Sequence, residues 1–327
     1  MKFNPENPTT PEFPEQPLKH LEAPGNLDAR VKKEGPKNLE EQFAHPERIR
    51  IGEEEVDVYD ISPEERKTEI PTVLAPGFSA TPMAHEQNIL GLAEAGRRVI
   101  SVDSPHGLAE HGIKENLASK HAEVELAKLS AIIKALDERG VEQADVVAHS
   151  EGGIYMALAA SLYPGRFRNM VFVEPGGMIG KDNVFRLGKS MAHELAGQTV
   201  NEARRTDSDR YAEKLRSPLI PLRVIASNLK RAWGSVKAIA DSDIIDILKD
   251  LKVQGVGISI IHGVDDKVFP MERVQKEVSA DAITGFYSVR GGHNEIFTRP
   301  KQYTKAVDLA LDALEAKSNK QSVKTTS

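Results

Sequence analysis

Residues 145–155 read DVVAHSEGGIY, and Ser150 stands where an apolar run gives way to glycines. A serine hydroxyl attacks a carbonyl only when a base takes its proton, and that base needs an acid to orient it. A strand running into Ser150, followed at once by a helix, would hold the serine in a strained conformation and push its hydroxyl above the sheet. Such a bend demands small neighbours. Ala148 two residues before, and Gly152 and Gly153 after, supply them. The competing reading is a serine that caps the next helix.

The partners are expected later in the chain, each just beyond a strand, first an acid and then a histidine. Residues 288–297 read SVRGGHNEIF, and the two glycines let a loop carry His293 close to the site. Residues 257–270 read GISIIHGVDDKVFP and offer Asp265 and Asp266; Glu174, at the end of MVFV, is a third acid. Attack on a carbonyl also needs two donors for the oxyanion. The amide of Glu151 is one candidate. The amide of Phe78, after the Pro76–Gly77 turn in APGFSAT, is the other. The Glu151 side chain has two readings: a carboxylate favoured by the dipole at a helix start, or a group that meets a cation or hydroxyl of the substrate. His149 and His262 read as packing residues, and His85, His106 and His111 as loop residues at the pocket mouth. No histidine pair has the H-E-x-x-H spacing, so no metal is expected.

The elements that must position these groups alternate. Residues 48–61 alternate apolar and polar about Gly52, as a hairpin does. Short β-branched runs follow at 72–75, 98–102, 145–148, 170–173, 257–261 and 283–289, and helical periodicity at 117–139, 152–162, 271–278 and 300–316. This alternation predicts an α/β fold: a mostly parallel central sheet flanked by helices. Between Met178 and Asp250 only amphipathic helical patterns occur, which predicts a helical cap inserted between two strands. Phe185, Met191 and Trp233 are its candidate pocket-lining residues, and equally its candidate core. The expected organisation is a proline-rich irregular arm over 1–46, a core over 47–177 and 251–317, the cap over 178–250 and a disordered tail over 318–327. Eight of the 19 prolines fall in the arm, and few of its residues suit a core.

Composition narrows the class. Hydrophobic residues make up 39% and charged residues 28% of the 327, as in a soluble globular protein. A net charge of -6 lacks the basic surplus of a nucleic-acid binder. The chain has no cysteine, which fits a reducing compartment. No run approaches the roughly 20 apolar residues of a membrane span, and the first residues have no apolar signal core. A cytoplasmic location is the expectation.

Taken in order, PGFSAT, VDSPHG, AHSEGG, a helical insertion, IHGVDDKVFP and GGHNEIF resemble the α/β-hydrolase superfamily over roughly residues 49–316. That resemblance implies a serine hydrolase without a cofactor, in which Ser150, Asp266 and His293 form the triad and Phe78 and Glu151 the oxyanion hole. It selects Asp266 because the family's acid follows a glycine by three residues, with a proline four further on. Two departures stand out: Ala-Pro-Gly replaces the usual His-Gly of the first loop, and Ala148 replaces glycine at the bend. The implied substrate is a small acyl compound, and a carboxylesterase is the leading expectation. A peptidase like the proline iminopeptidases would need a cap carboxylate for a substrate amine, from Glu194, Glu202 or Asp207. The same residues would also serve a C–C hydrolase, and the same fold a non-catalytic small-molecule binder.

Overall fold

The computed structural model describes residues 38–105, 121–205 and 229–325. His106, His111, Asp207 and most of the arm lie outside them. The described part begins with α1 (Leu39–Ala44), capped by the Asn38 side chain. The arm was expected to be irregular through residue 46, but its residues Leu39–Ala44 are helical. The reason is Phe43, which is buried with its ring centroid 4.7 Å from that of Tyr59.

Strands β1 (Glu47–Ile51) and β2 (Glu54–Ile61) form the expected hairpin, with Gly52 at φ 59°. Then come β3 (Thr72–Ala75), α2 (Glu86–Glu94), β4 (Val99–Val102), α3 (Glu123–Glu138), β5 (Ala144–His149), α4 (Gly152–Leu162) and β6 (Phe167–Val173). Helices α5 (Val184–Arg205), α6 (Leu229–Asp241) and α7 (Ile245–Val253) precede β7 (Gly257–Gly263). The chain continues through α8 (Met271–Glu277), β8 (Gly285–Val289), α9 (Glu295–Thr298) and α10 (Pro300–Thr325).

The strands make one eight-stranded sheet in the order β1-β2-β4-β3-β5-β6-β7-β8. The β1–β2 and β2–β4 pairs are antiparallel and the others parallel. Strands β3 and β5 are buried at every position, because helices cover both faces. One apolar cluster joins α3, α4 and α7 to one face; the other joins α2 and α10 to the opposite face. Arg97, fully buried, fastens α10 to the sheet through Asp308, Asp312 and Glu315 at 2.7, 2.5 and 2.9 Å.

Two boundaries differ from expectation. Helix α7 was placed in the insertion, yet Ile245, Leu248 and Leu251 are buried in the cluster that contains α4. It therefore belongs to the layer flanking the sheet. At the other end α10 runs on to Thr325, so residues 318–325 extend the helix beyond the boundary expected at 317. No described helix is long and apolar enough to cross a membrane.

Candidate active site

Strand β5 ends at His149, and Ser150 turns the chain into α4 with a φ of 52°. This left-handed conformation is costly for a side chain with a Cβ, and the surroundings must enforce it. They do so through two clamps. The Ser150 amide donates to the Val173 carbonyl at 3.0 Å, and the Ser150 carbonyl accepts from the amides of Gly153 and Gly176 at 3.0 and 2.9 Å. The bend also leaves no space beside it. A Cβ on Gly152 would lie 2.5 Å from the Ala75 carbonyl oxygen, and one on Gly77 2.8 Å from the Cβ of Ser150. Ala148 is tolerated where a smaller residue was expected, because it packs fully buried in the sheet. The other described non-glycine residues with positive φ, Ser79 and Glu174, lie just beyond the ends of β3 and β6.

His293 reaches this hydroxyl. Its Nε2 lies 2.9 Å from Ser150 Oγ and its Nδ1 2.9 Å from Asp266 Oδ2. With Nδ1 as donor to the carboxylate, Nε2 is left as the acceptor for the serine proton. Asp266 is fixed by its own turn: Oδ1 accepts from the amides of Val268 and Phe269 at 2.7 and 2.9 Å. Asp265, by contrast, is exposed. Arg186 of α5 reaches the same turn and donates to the Val268 carbonyl at 3.0 Å.

Glu174 is close by without touching His293 as a hydrogen-bond partner. It is fully buried and accepts from Tyr303 Oη at 2.6 Å. Burial, reinforced by the negative charge of Asp266, pushes its carboxyl well above the usual range. Glu174, Asp266 and His293 offer ligand atoms within 4.8 Å of one another. A metal ion there would have to displace the Asp266–His293 bond.

The histidines behind the site are packing groups. His149 Nε2 lies 3.3 Å from the His293 carbonyl. His262 Nε2 lies 2.8 Å from the Phe269 carbonyl. His85 was expected at the pocket mouth, but it is fully buried between His149 and Phe297. Burial there lowers its pKa to about 3. Burial lowers His149 too, helped by the charges of His293 and His85.

The two candidate oxyanion amides flank Ser150. Neither the Phe78 nor the Glu151 amide donates to a protein acceptor among the described residues. The Glu151 side chain is fully buried, and its Oε1 lies 2.5 Å from Lys128 Nζ. Of its two readings, the one that had it meet a cation or hydroxyl of the substrate does not fit this burial. Lys128 was missed by sequence reasoning, although a signal existed: Glu125, Lys128 and Ile132 share one helical stripe in α3, and charge within an apolar stripe calls for a partner. The candidate lining residues do not gather. Phe185 is 78% and Trp233 57% exposed, while Met191 packs half-buried against the core. Glu202 and its neighbours fall where side chains are not described.

A sequence model of the alpha/beta hydrolase family matches residues 72–306, from β3 through the first turns of α10. The chain belongs to the alpha/beta hydrolase family. It is thus an enzyme of the hydrolase class. A protein of Mycobacterium phage D29 named as a non-heme haloperoxidase is 28% identical over 259 residues, 75% of this chain and 88% of that protein. Among solved structures, a bromoperoxidase from Bacillus anthracis superposes with a TM-score of 0.60 at 20% identity, over 82% of this chain and 100% of that one. An enol-lactonase from Burkholderia xenovorans LB400 gives 0.54 at 16% identity, over 81% and 100%. These two structures share the α/β-hydrolase fold with this chain.

Proposed function

We propose that this α/β-hydrolase is a serine hydrolase that cleaves ester-type acyl substrates through an acyl-enzyme. The observation that carries the reading is the relay Ser150–His293–Asp266, with both contacts at 2.9 Å and the serine on a strained bend. In the proposed mechanism Ser150 Oγ bonds to the acyl carbon as His293 Nε2 takes its proton. Asp266 holds the tautomer and balances the imidazolium. The amides of Phe78 and Glu151 receive the oxyanion. His293 then returns the proton to the leaving alkoxide as the carbon–oxygen bond breaks. A water, deprotonated by the same nitrogen, releases the acid and restores Ser150. Helices α5 and α6 act as a cap that shapes the acyl pocket, with Met191 the best placed of the apolar candidates.

The test is labelling of the full chain with a fluorophosphonate, followed by hydrolysis of p-nitrophenyl esters of increasing acyl length. Labelling that disappears in Ser150→Ala, with turnover that peaks at one chain length, supports the reading. A wild type that takes no label while a ligand still raises its melting temperature would favour a non-catalytic binder. Because a relative bears a haloperoxidase name, hydrogen peroxide should also be offered in place of water. Peracid formation would then extend the same acyl-enzyme chemistry.

One observation favours a second reading. Both carboxylate oxygens of the half-buried Glu194 on α5 lie 3.4 Å from where a Cβ on Gly292 would stand, next to His293. A carboxylate there suits a substrate amine, as a peptidase of amino-terminal residues requires. Amino-acid anilides set against simple acyl esters separate the two readings. Under the peptidase reading, Glu194→Gln lowers the anilide-to-ester ratio by about tenfold or more, the value of one charged hydrogen bond.

A further inference from the structure

Beneath the bend lies a cluster of buried charge that the proposed mechanism does not use. Lys128 of α3, Glu125 of the same helix, Glu151 and Ser235 of α6 are each more than nine-tenths buried. Lys128 Nζ lies 2.5 Å from Glu151 Oε1 and 3.5 Å from Ser235 Oγ. It also stands 5.7 Å from the centroid of the Tyr155 ring, and Tyr155 Oη donates to the Pro76 carbonyl at 2.6 Å. Burial alone would raise the Glu151 carboxyl. The Lys128 ammonium outweighs that and holds it below its usual value.

Burying an ammonium is expensive, and replacing such a pair with apolar groups often costs no stability. What this pair does supply is position. Glu151 carries one candidate oxyanion donor on its own amide. Pro76 lies two residues before Phe78, which carries the other. One ammonium therefore stands between the two donor-bearing segments. It grips the first by an ion pair and braces the second through the Tyr155 ring and hydroxyl. Oxyanion stabilisation demands donors held within a few tenths of an ångström before charge develops.

We propose that Lys128 is a positioning residue of the oxyanion site, which keeps the Glu151 and Phe78 amides in register and ties them through Ser235 to helix α6. The assignment rests on the serine-hydrolase reading above.

The experiment compares wild type, Lys128→Arg, Lys128→Met and the double variant Lys128→Met/Glu151→Gln on one p-nitrophenyl ester, with an alkyl boronic acid as the tetrahedral mimic. Lys128→Met alone strands a buried carboxylate and can unfold. The double variant removes the ion pair and leaves Glu125 in place, so it is scored only with native circular dichroism and melting temperature. It is expected to lose about 10- to 100-fold in kcat, somewhat less than outright removal of an oxyanion donor. KM should move by less than about threefold, and boronate affinity should fall in proportion to kcat/KM. Lys128→Arg should recover part of the loss. A folded double variant with wild-type kcat and wild-type boronate affinity overturns the positioning role alone. A wild type that neither labels with fluorophosphonate nor turns over any ester overturns the hydrolase reading, and this role with it.

Discussion

Gly77 faces Ser150 so closely that a Cβ on the glycine would lie 2.8 Å from the Cβ of the serine and 3.1 Å from the carbonyl oxygen of His149. Real side chains essentially never pack at such a distance. The close approach brings the loop after β3 against the serine, and with it the amide of Phe78. Gly77→Ala should therefore push that loop off the bend. We expect a fall in ester kcat of about 10²-fold or more, on the scale of a lost oxyanion donor. Far-ultraviolet circular dichroism should stay native, because the loop carries little of the core. A Gly77→Ala enzyme with wild-type kcat would remove Phe78 from the proposed oxyanion site.

Asp266 and Glu174 are both buried carboxyl groups beside His293, but with different partners. Asp266 accepts from two amides and from the imidazole. Glu174 is driven toward its neutral form by burial and by Asp266. Asp266→Asn should lose about 10⁴-fold in kcat, because an amide at that place favours the wrong tautomer. Glu174→Gln mimics a neutral acid and should cost less than about tenfold. If steady-state kinetics reverse that order, the acid is Glu174.

Two buried histidines make stability depend on acidity. His85 has its pKa lowered to about 3, and burial lowers His149 too, whereas an unfolded histidine titrates near the ordinary value of 6.5. Below that value the unfolded chain binds protons that the native chain refuses. Their contribution to stability is therefore complete above pH 6.5 and is lost below it, for His85 as the pH falls toward 3. Each such group adds up to about 1.4 kcal/mol per pH unit in this window. Urea titrations at about pH 7.5, 6 and 5 should show a steep acid loss in the wild type and a shallower one in His85→Gln. Equal slopes would show that His85 takes up its proton without unfolding the protein.

Much of the fold is legible because its signals are local. A β-branched run of four residues, a glycine hairpin or a helical stripe reports on its own neighbourhood, and the strands at 72–75, 144–149 and 257–263 follow those signals closely. The same holds for Ser150 and His293, each announced by a strand end and adjacent glycines. Helix α2 was not among the expected helices, although Ile89, Leu90, Leu92 and Ala93 form a buried apolar side on it.

The sequence by itself determined the alternation of strand and helix, the serine on its cramped bend and the histidine on its glycine hinge, since each depends on residues next to it in the chain. Tertiary structure decided the rest. The residues alone left Asp265 and Asp266 open and only the family resemblance favoured Asp266; packing is what sends its side chain to His293 and that of its neighbour to solvent. Glu151 found Lys128, and α7 joined the layer over the sheet, through contacts between distant segments. Where a side chain points, and which charge it meets when buried, follows from how layers close on one another. No local pattern carries that information.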